Sequence, residues 1–263
     1  MAANEATSRP TALVTGASAG IGEQFARILA ERGHDVVLVA RDRARLEALA
    51  KELEESHGAH CEVLAADLTD PQPLALVEAR ARDVDVLVNN AGFGTFGSFH
   101  ELDIDAEVRE INLNVVALVR LTHAAAEAMV ERGRGGILNV SSLAGFQPGP
   151  SNATYGATKA FVTSFTEAVH EDLSGTGVAV TVLCPGFTHT EFQERAHVPA
   201  SGLPGWMWQD APEVARAGLD GLARNRAVVI PGTVNKVMGN LSAVTPHAIT
   251  RRVGGAVLKR VGE

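Results

Sequence analysis

Tyrosine and lysine are scarce in this chain: one tyrosine, Tyr155, and four lysines among 263 residues. Cysteine is nearly absent. Cys61 and Cys184 are too few for the disulfide framework of a small secreted domain, and two reduced, buried thiols are expected. Nine histidines are scattered without an HExxH motif or a Cys/His cluster at ligand spacing, so no structural or catalytic metal is predicted. No run approaches the ~18 consecutive apolar residues of a membrane span. A basic excess is missing as well: the net charge of −8 argues against a nucleic-acid surface.

What remains is ordinary globular composition, 46% hydrophobic and 21% charged, in a length that suits one large α/β domain. The polar segment Met1–Arg9 is expected to be a disordered tail, lacking the apolar core of a secretory signal. Residues 10–263 are expected to form a single domain, and the compartment is expected to be cytoplasmic.

Along the chain, short apolar runs alternate with helical periodicity. A first strand at 11–15 runs into Gly16-Ala-Ser-Ala-Gly20-Ile-Gly22, followed by an amphipathic helix ending near Gly33. Strand, glycine turn and helix is the context of a phosphate-binding motif: glycines let the backbone approach a pyrophosphate, and the helix start offers free N–H groups. A second strand at 35–40 ends at Ala40-Arg41-Asp42. An acidic residue there would bond the ribose 2′-hydroxyl of NAD, whereas an arginine suits the 2′-phosphate of NADP. Arg41 therefore favours NADP(H) over NAD(H), with Asp42 expected to cap the helix at 43–56.

The third strand, 61–66, ends at Asp67-Leu68, where Asp67 suits either an adenine contact or a helix cap. The fourth, 84–88, ends at Asn89-Asn-Ala-Gly92. A long helix over 103–132 carries Asn112 and Asn114 amid apolar neighbours, and a buried helix asparagine needs partners. The fifth strand, 136–140, leads to Ser141-Ser142 and to a helix running to about 173. The sixth, 178–183, meets Cys184-Pro-Gly186, and a short seventh spans 227–230. This β-α alternation predicts an α/β protein with one doubly wound parallel sheet of about seven strands and helices on both faces. Its ligand crevice lies beyond the strand carboxyl ends, where Gly16, Arg41, Asp67, Asn89, Ser142 and Pro185 all fall.

Tyr155 and Lys159 are four residues apart and share a face if helical. A fixed positive neighbour favours the phenolate and would pull the tyrosine pKa toward working pH.

Taken together, Thr15-Gly-Ala-Ser-Ala-Gly-Ile-Gly22, Asn89-Asn-Ala-Gly92, Asn112, Ser142, Tyr155-Gly-Ala-Thr-Lys159 and Pro185-Gly186 resemble the short-chain dehydrogenase/reductase family from about residue 10 to 232, in family order. The resemblance implies a Rossmann-like fold and hydride transfer between a nicotinamide and a carbonyl or alcohol carbon. It assigns Tyr155 as general acid/base, Ser142 (thirteen residues earlier, which selects it over Ser141) as the substrate-oxygen partner, Lys159 as the group tuning Tyr155 and bonding the nicotinamide ribose, and Asn112, in an Ile-Asn-Leu setting, as the proton-relay asparagine in preference to Asn114.

The cofactor would lie on Gly16, Ser18, Gly20, Ile21 and Gly22, with Arg41, Asp67 and Leu68 at its adenosine end. Asn89, Ala91 and Gly92 would flank its middle. Tyr155, Lys159, Pro185, Gly186, Thr188 and Thr190 would hold its nicotinamide side. Many NADP-preferring relatives carry a basic residue where this chain has Ala19, so the preference rests on Arg41, with Arg43 and Ser18 as helpers.

Between 187 and 211 lies an insert expected to act as a substrate lid. Phe187, Trp206 and Trp208 within it, and Phe93 opposite, would line an apolar pocket. An extension at 233–263 is expected to be helical, packing on the body or a partner subunit rather than on a membrane. By analogy a homodimer or homotetramer is expected. Presence of all four catalytic-type residues favours an enzyme acting on a small carbonyl or alcohol. The alternative is a silent NADP(H)-binding regulatory or scaffold protein.

Overall fold

The computed structural model describes residues 9–195 and 204–244. The expected N-terminal tail, the middle of the expected lid and the end of the C-terminal extension lie outside the described residues.

Seven strands form one parallel sheet in the order β3-β2-β1-β4-β5-β6-β7. They are β1 Thr11–Thr15, β2 Asp35–Ala40, β3 Cys61–Ala65, β4 Val86–Asn89, β5 Gly135–Val140, β6 Val178–Leu183 and β7 Val228–Val229. The alternating helices are α1 Gly20–Glu31, α2 Arg43–His57, α3 Pro71–Ala81, α4 Ile104–Ile111, α5 Leu118–Arg132, α6 Ala153–Asp172, the short α7 Phe192–Arg195, α8 Ala211–Ala223 and α9 Thr233–Val244.

Continuous apolar strands are what a sheet covered on both faces requires. Val14, Leu38, Val88 and Leu138 bury against Phe25 of α1, Leu46 and Leu53 of α2, and Val214 and Leu219 of α8. On the other face Leu13, Val37, Leu87 and Ile137 meet Leu74 and Val77 of α3 and Leu121 and Met129 of α5. Chain order reverses between β1, paired to β2 on one side and β4 on the other. That switch point opens the crevice in which such sheets bind ligands.

Two departures from the sequence reading matter. The seventh strand is only two residues long. The long helix predicted over 103–132 is broken by a π-helical turn at Asn112–Ala117 between α4 and α5. Such turns widen the helix by one residue and re-aim side chains. The whole run Ile104–Arg132 is long and apolar enough to cross a membrane, but half of its most apolar window is buried inside this fold, and it packs here on α3, β4, β5 and α6.

Candidate active site

The glycine turn is built by exclusion. Gly16 (φ +69°) and Gly20 (φ +58°) occupy left-handed backbone, open to glycine at little cost. A Cβ on Gly22 would stand 2.1 Å from Gly16 O and 2.5 Å from Asn90 Nδ2, so only glycine lets α1 start so close to β1. Asn90 braces the turn: its Nδ2 donates to Thr15 O at 3.0 Å, and its N–H donates to Thr15 Oγ1 at 2.9 Å. Asn89 does not face the crevice. It is 3% exposed and donates to Asn139 Oδ1 and Thr122 Oγ1 at 2.9 and 3.1 Å, so its side chain is turned away from the cofactor crevice expected for it, and Asn90 is the one that lies against the glycine turn. Along a strand consecutive side chains point to opposite sides, and the chain exits β4 with Asn90 on the glycine side.

At the adenosine end, Arg41 is exposed just beyond β2. Asp42 caps α2, its carboxylate accepting from Arg45 N at 3.1 Å. Asp67 is not a helix cap: Asp70 fills that place, and Asp67 accepts from Thr69 N and Oγ1 at 2.9 and 2.7 Å. Burial works against its ionisation, but the Thr69 bonds and the nearby Arg41 and Arg109 hold it below the usual carboxylate range. The Leu68 side chain is 5% exposed and sits in the core, leaving only its backbone for a ligand.

The catalytic-type residues converge at the start of α6. The Ser142 hydroxyl stands near the Tyr155 phenol, close enough to favour its ionised form, and accepts from Ala144 N at 3.1 Å. Ser141 instead donates to Lys159 O at 2.7 Å, under the helix. Lys159 is 5% exposed, donates to Val140 O at 2.9 Å and holds its Nζ 5.6 Å from the centre of the Tyr155 ring.

Burial dominates both titrations. It pushes the Tyr155 phenol up to about 12, against the Ser142 hydroxyl, and the Lys159 ammonium down to about 8. Burial thus works against the expected lowering of the phenol by the lysine. Near neutral pH the Tyr155 phenol keeps its proton.

Of the two helix asparagines it is Asn114, not the expected Asn112, that the fold places beside Lys159. Asn114, 1% exposed, accepts from Phe93 N at 3.2 Å and donates to Phe93 O and Thr158 Oγ1 at 2.9 and 3.1 Å. A Cβ on Gly92 would lie 2.9 Å from Asn114 Oδ1 and 3.5 Å from Lys159 Nζ, which sets the amide and the ammonium around one small space. Asn112 stays partly exposed. The π turn is what brings Asn114 inward, and the sequence carries no explicit mark of it.

The insert after β6 closes on itself and on the crevice. Thr188 and Gln209 form a parallel bridge, and Gly186 N donates to Gln209 Oε1 at 3.3 Å. Trp208 stacks on His189 (centroids 4.5 Å, 10°) and tilts against Phe187 at 5.8 Å. Trp206 is 64% exposed. The ring that covers Tyr155 is Phe192, at 5.4 Å.

Thr190 sits on Gly20, where a Cβ would be 3.0 Å away, and Glu191 pairs with Arg45 of α2 at 2.9 Å across the cleft. Ala19, Gly20, Ile21, Asn90, Phe93, Gly94 and Thr190–Phe192 enclose about 130 Å³, below the ~300–1,000 Å³ of ligand pockets. The segment Thr190–Phe192 thus lies over the glycine turn. Among the described residues, no group of three His, Cys, Asp or Glu side chains is placed to hold a metal ion.

Residues 10–198 match the family described as short chain dehydrogenase. An NADP-dependent 3-hydroxy acid dehydrogenase, YdfG, of Salmonella typhi is 42% identical over 188 residues, covering 68% of this chain and 73% of its own. A short-chain dehydrogenase from Sphingobium yanoikuyae, solved in complex with NADPH, superimposes with TM-score 0.81 at 39% identity over 91% of this chain and 97% of its own. A bulky-bulky ketone specific alcohol dehydrogenase from Comamonas testosteroni does so with TM-score 0.77 at 35% identity, over 91% and 96%. With the seven-stranded parallel sheet, the glycine turn and the Ser142–Tyr155–Lys159 cluster on one crevice, the chain belongs to the short-chain dehydrogenase family.

Proposed function

We propose that this protein is an NADP(H)-dependent oxidoreductase that interconverts a carbonyl and a secondary alcohol on an apolar small molecule. The observation that carries the reading is the Tyr155 hydroxyl, near Ser142 and backed by Lys159, on the crevice whose glycine turn has no space for a side chain at Gly16 or Gly22. A bound nicotinamide supplies or accepts the hydride. Everything else falls to the chain's own residues.

In the reducing direction Ser142 holds the substrate oxygen, and Tyr155 gives it a proton as negative charge develops. Lys159, and Asn114 beside it, return a proton toward Tyr155. Phe93 and Phe192 flank the reacting end and keep water from it. Residues 187–211 serve as the lid, and Arg41 reads the 2′-phosphate. The relatives' names support the cofactor: one is called NADP-dependent and another holds NADPH. They support a carbonyl or hydroxyl substrate without agreeing on which.

Apolar side chains exposed on α4 to α6, Ile104, Val108, Ile111, Val116 and Phe161, support assembly as a homodimer or homotetramer through these helices. The test of the functional reading is a thermal-shift comparison of NADP⁺ with NAD⁺, followed by turnover on a panel of ketones, 3-oxo acids and alcohols. Stabilisation by NADP⁺ alone and turnover of at least one substrate are expected. Equal stabilisation by both cofactors, or no turnover of any, would remove the reading.

A further inference from the structure

Two carboxyl side chains of α4 point into the protein, Glu107 at 3% and Glu110 at 0% exposure, and the chemistry above makes no use of them. Both meet the turn that follows β4. The Thr95 hydroxyl lies in hydrogen-bond contact with Glu107 Oε1 and 3.0 Å from Glu110 Oε2, and Thr95 N donates to Glu110 Oε2 at 2.9 Å. The other oxygen of Glu107 accepts from the hydroxyl of Thr154, the neighbour of Tyr155 in the first turn of α6.

Counting protons constrains this cluster. The Thr95 hydroxyl has one proton and faces two carboxyl groups, so it can donate fully to only one of them. A single proton on one of the two acids, donated back to the hydroxyl, would satisfy all three groups. Two buried carboxylates sharing a hydroxyl would also repel with little water to screen them. Glu110, whose Oε1 is buried without a partner, is the less suited of the two to a charge.

The turn held in this way touches the catalytic ring. A Cβ on Gly94 would stand 2.8 Å from Tyr155 Cδ2, so the turn has no slack against the phenol. Asn114 grips the turn at Phe93, and the acids grip it two residues later at Thr95. We propose that Glu107 and Glu110 form a one-proton carboxyl pair that positions Tyr155, by clamping the Phe93–Thr95 turn to the first turn of α6.

Losing the shared proton leaves the Thr95 hydroxyl with two acceptors and one hydrogen, so one side of the clamp lets go. The charged or titrating groups that sense Glu110 are Glu107 on its own helix and Lys159 and Tyr155 on α6. Burial first of all places the release of the Glu110 proton at about 7, far below the phenol's own ionisation.

The inference rests on Tyr155 being the proton donor, but it is tested without turnover. Tyr155 is the only tyrosine, so protein labelled with ¹³C-tyrosine gives ring signals from this residue alone. In the wild type these signals are expected to move with an inflection near pH 7, in addition to one near pH 8 from Lys159. Glu110→Gln should remove the lower inflection and keep the upper one. Thr154→Val, which cuts the tie to Glu107 but leaves Glu110 in place, should displace the ring signals across the whole range. A wild type without the lower inflection, its persistence in Glu110→Gln, or unmoved signals in Thr154→Val would each overturn the proposal. A failure here leaves the oxidoreductase reading standing, and a failure to find any substrate leaves the spectra readable.

Discussion

The ring of Phe192 lies 5.4 Å from that of Tyr155, tilted by 47°, so the insert after β6 rests directly on this phenol. We predict that opening the crevice for a dinucleotide separates these rings. An aromatic pair is worth about 0.5–1.5 kcal/mol beyond its buried area, and that much opposes opening. Phe192→Ala is therefore expected to tighten NADPH binding by roughly 2- to 10-fold, read as the dissociation constant from the quenching of Trp206 and Trp208 fluorescence. Weaker binding would show that Phe192 holds the cofactor more than it excludes it.

Tyr155→Phe removes one oxygen from a side chain whose neighbours Ser142, Gly94 and Phe192 otherwise stay put. Turnover on any substrate found with the wild type should fall by about 10²–10⁴, the usual contribution of a positioned proton donor. NADPH affinity should stay within about twofold, because the phenol contributes its proton in the transition state and little to ground-state binding. Wild-type turnover in this variant would remove Tyr155 from the mechanism.

Asn114 and Asn112 are two residues apart and differ in everything the fold does with them. Asn114→Ala strips three hydrogen bonds from Phe93 and Thr158 and leaves the Phe93 backbone groups without their partner. It should cost about 1–3 kcal/mol of stability and lower kcat. Asn112→Ala, at a partly exposed place, should stay within about 0.5 kcal/mol and keep activity. Equal effects of the two in denaturant unfolding would contradict the assignment.

The contrast shows where the sequence is legible. Strand order, the glycine turn and the Tyr155–Lys159 pair follow from local pattern: apolar runs, positive-φ glycines and four-residue spacing on a helix. Asn114 depends on a π turn, which shifts the helix phase by one residue and which no residue type announces, so periodicity could not choose between two asparagines. Asn89 and Asn90 pose the same difficulty at a strand end, where a single step exchanges core for crevice. Phe192 and the Glu107–Glu110 pair reach Tyr155 through contacts 37 to 48 residues apart in sequence. Only the assembled sheet brings them together.

Arg41 stands exposed past β2 with Asp42 committed to capping α2, as the proposed reading of the 2′-phosphate by Arg41 requires. Arg41→Asp should exchange a charge-assisted phosphate contact for a carboxylate that accepts from the ribose hydroxyl. A charge-assisted contact is worth about 1.5–3 kcal/mol, so the ratio of NADP⁺ to NAD⁺ affinity should fall by roughly 10-fold or more. An unchanged ratio in titration calorimetry would mean that the phosphate is read by another residue.

Glu110 makes stability itself depend on pH. Burial, with the Glu107 charge adding to it and the Thr95 bonds and Lys159 opposing it, raises this carboxyl from 4.5 to about 7. The folded state then holds the proton more tightly than the unfolded one. Its contribution to stability is fully present below about pH 4.5 and is lost as pH rises through about 7, because in that window folding requires proton uptake. Glu110→Gln cannot titrate and should lack this decline. Relative to the wild type it should gain on the order of 3 kcal/mol between the two ends of the window. Urea unfolding of both proteins across that range measures the difference directly. Parallel curves would show that Glu110 binds its proton no more tightly in the folded protein than in the unfolded chain.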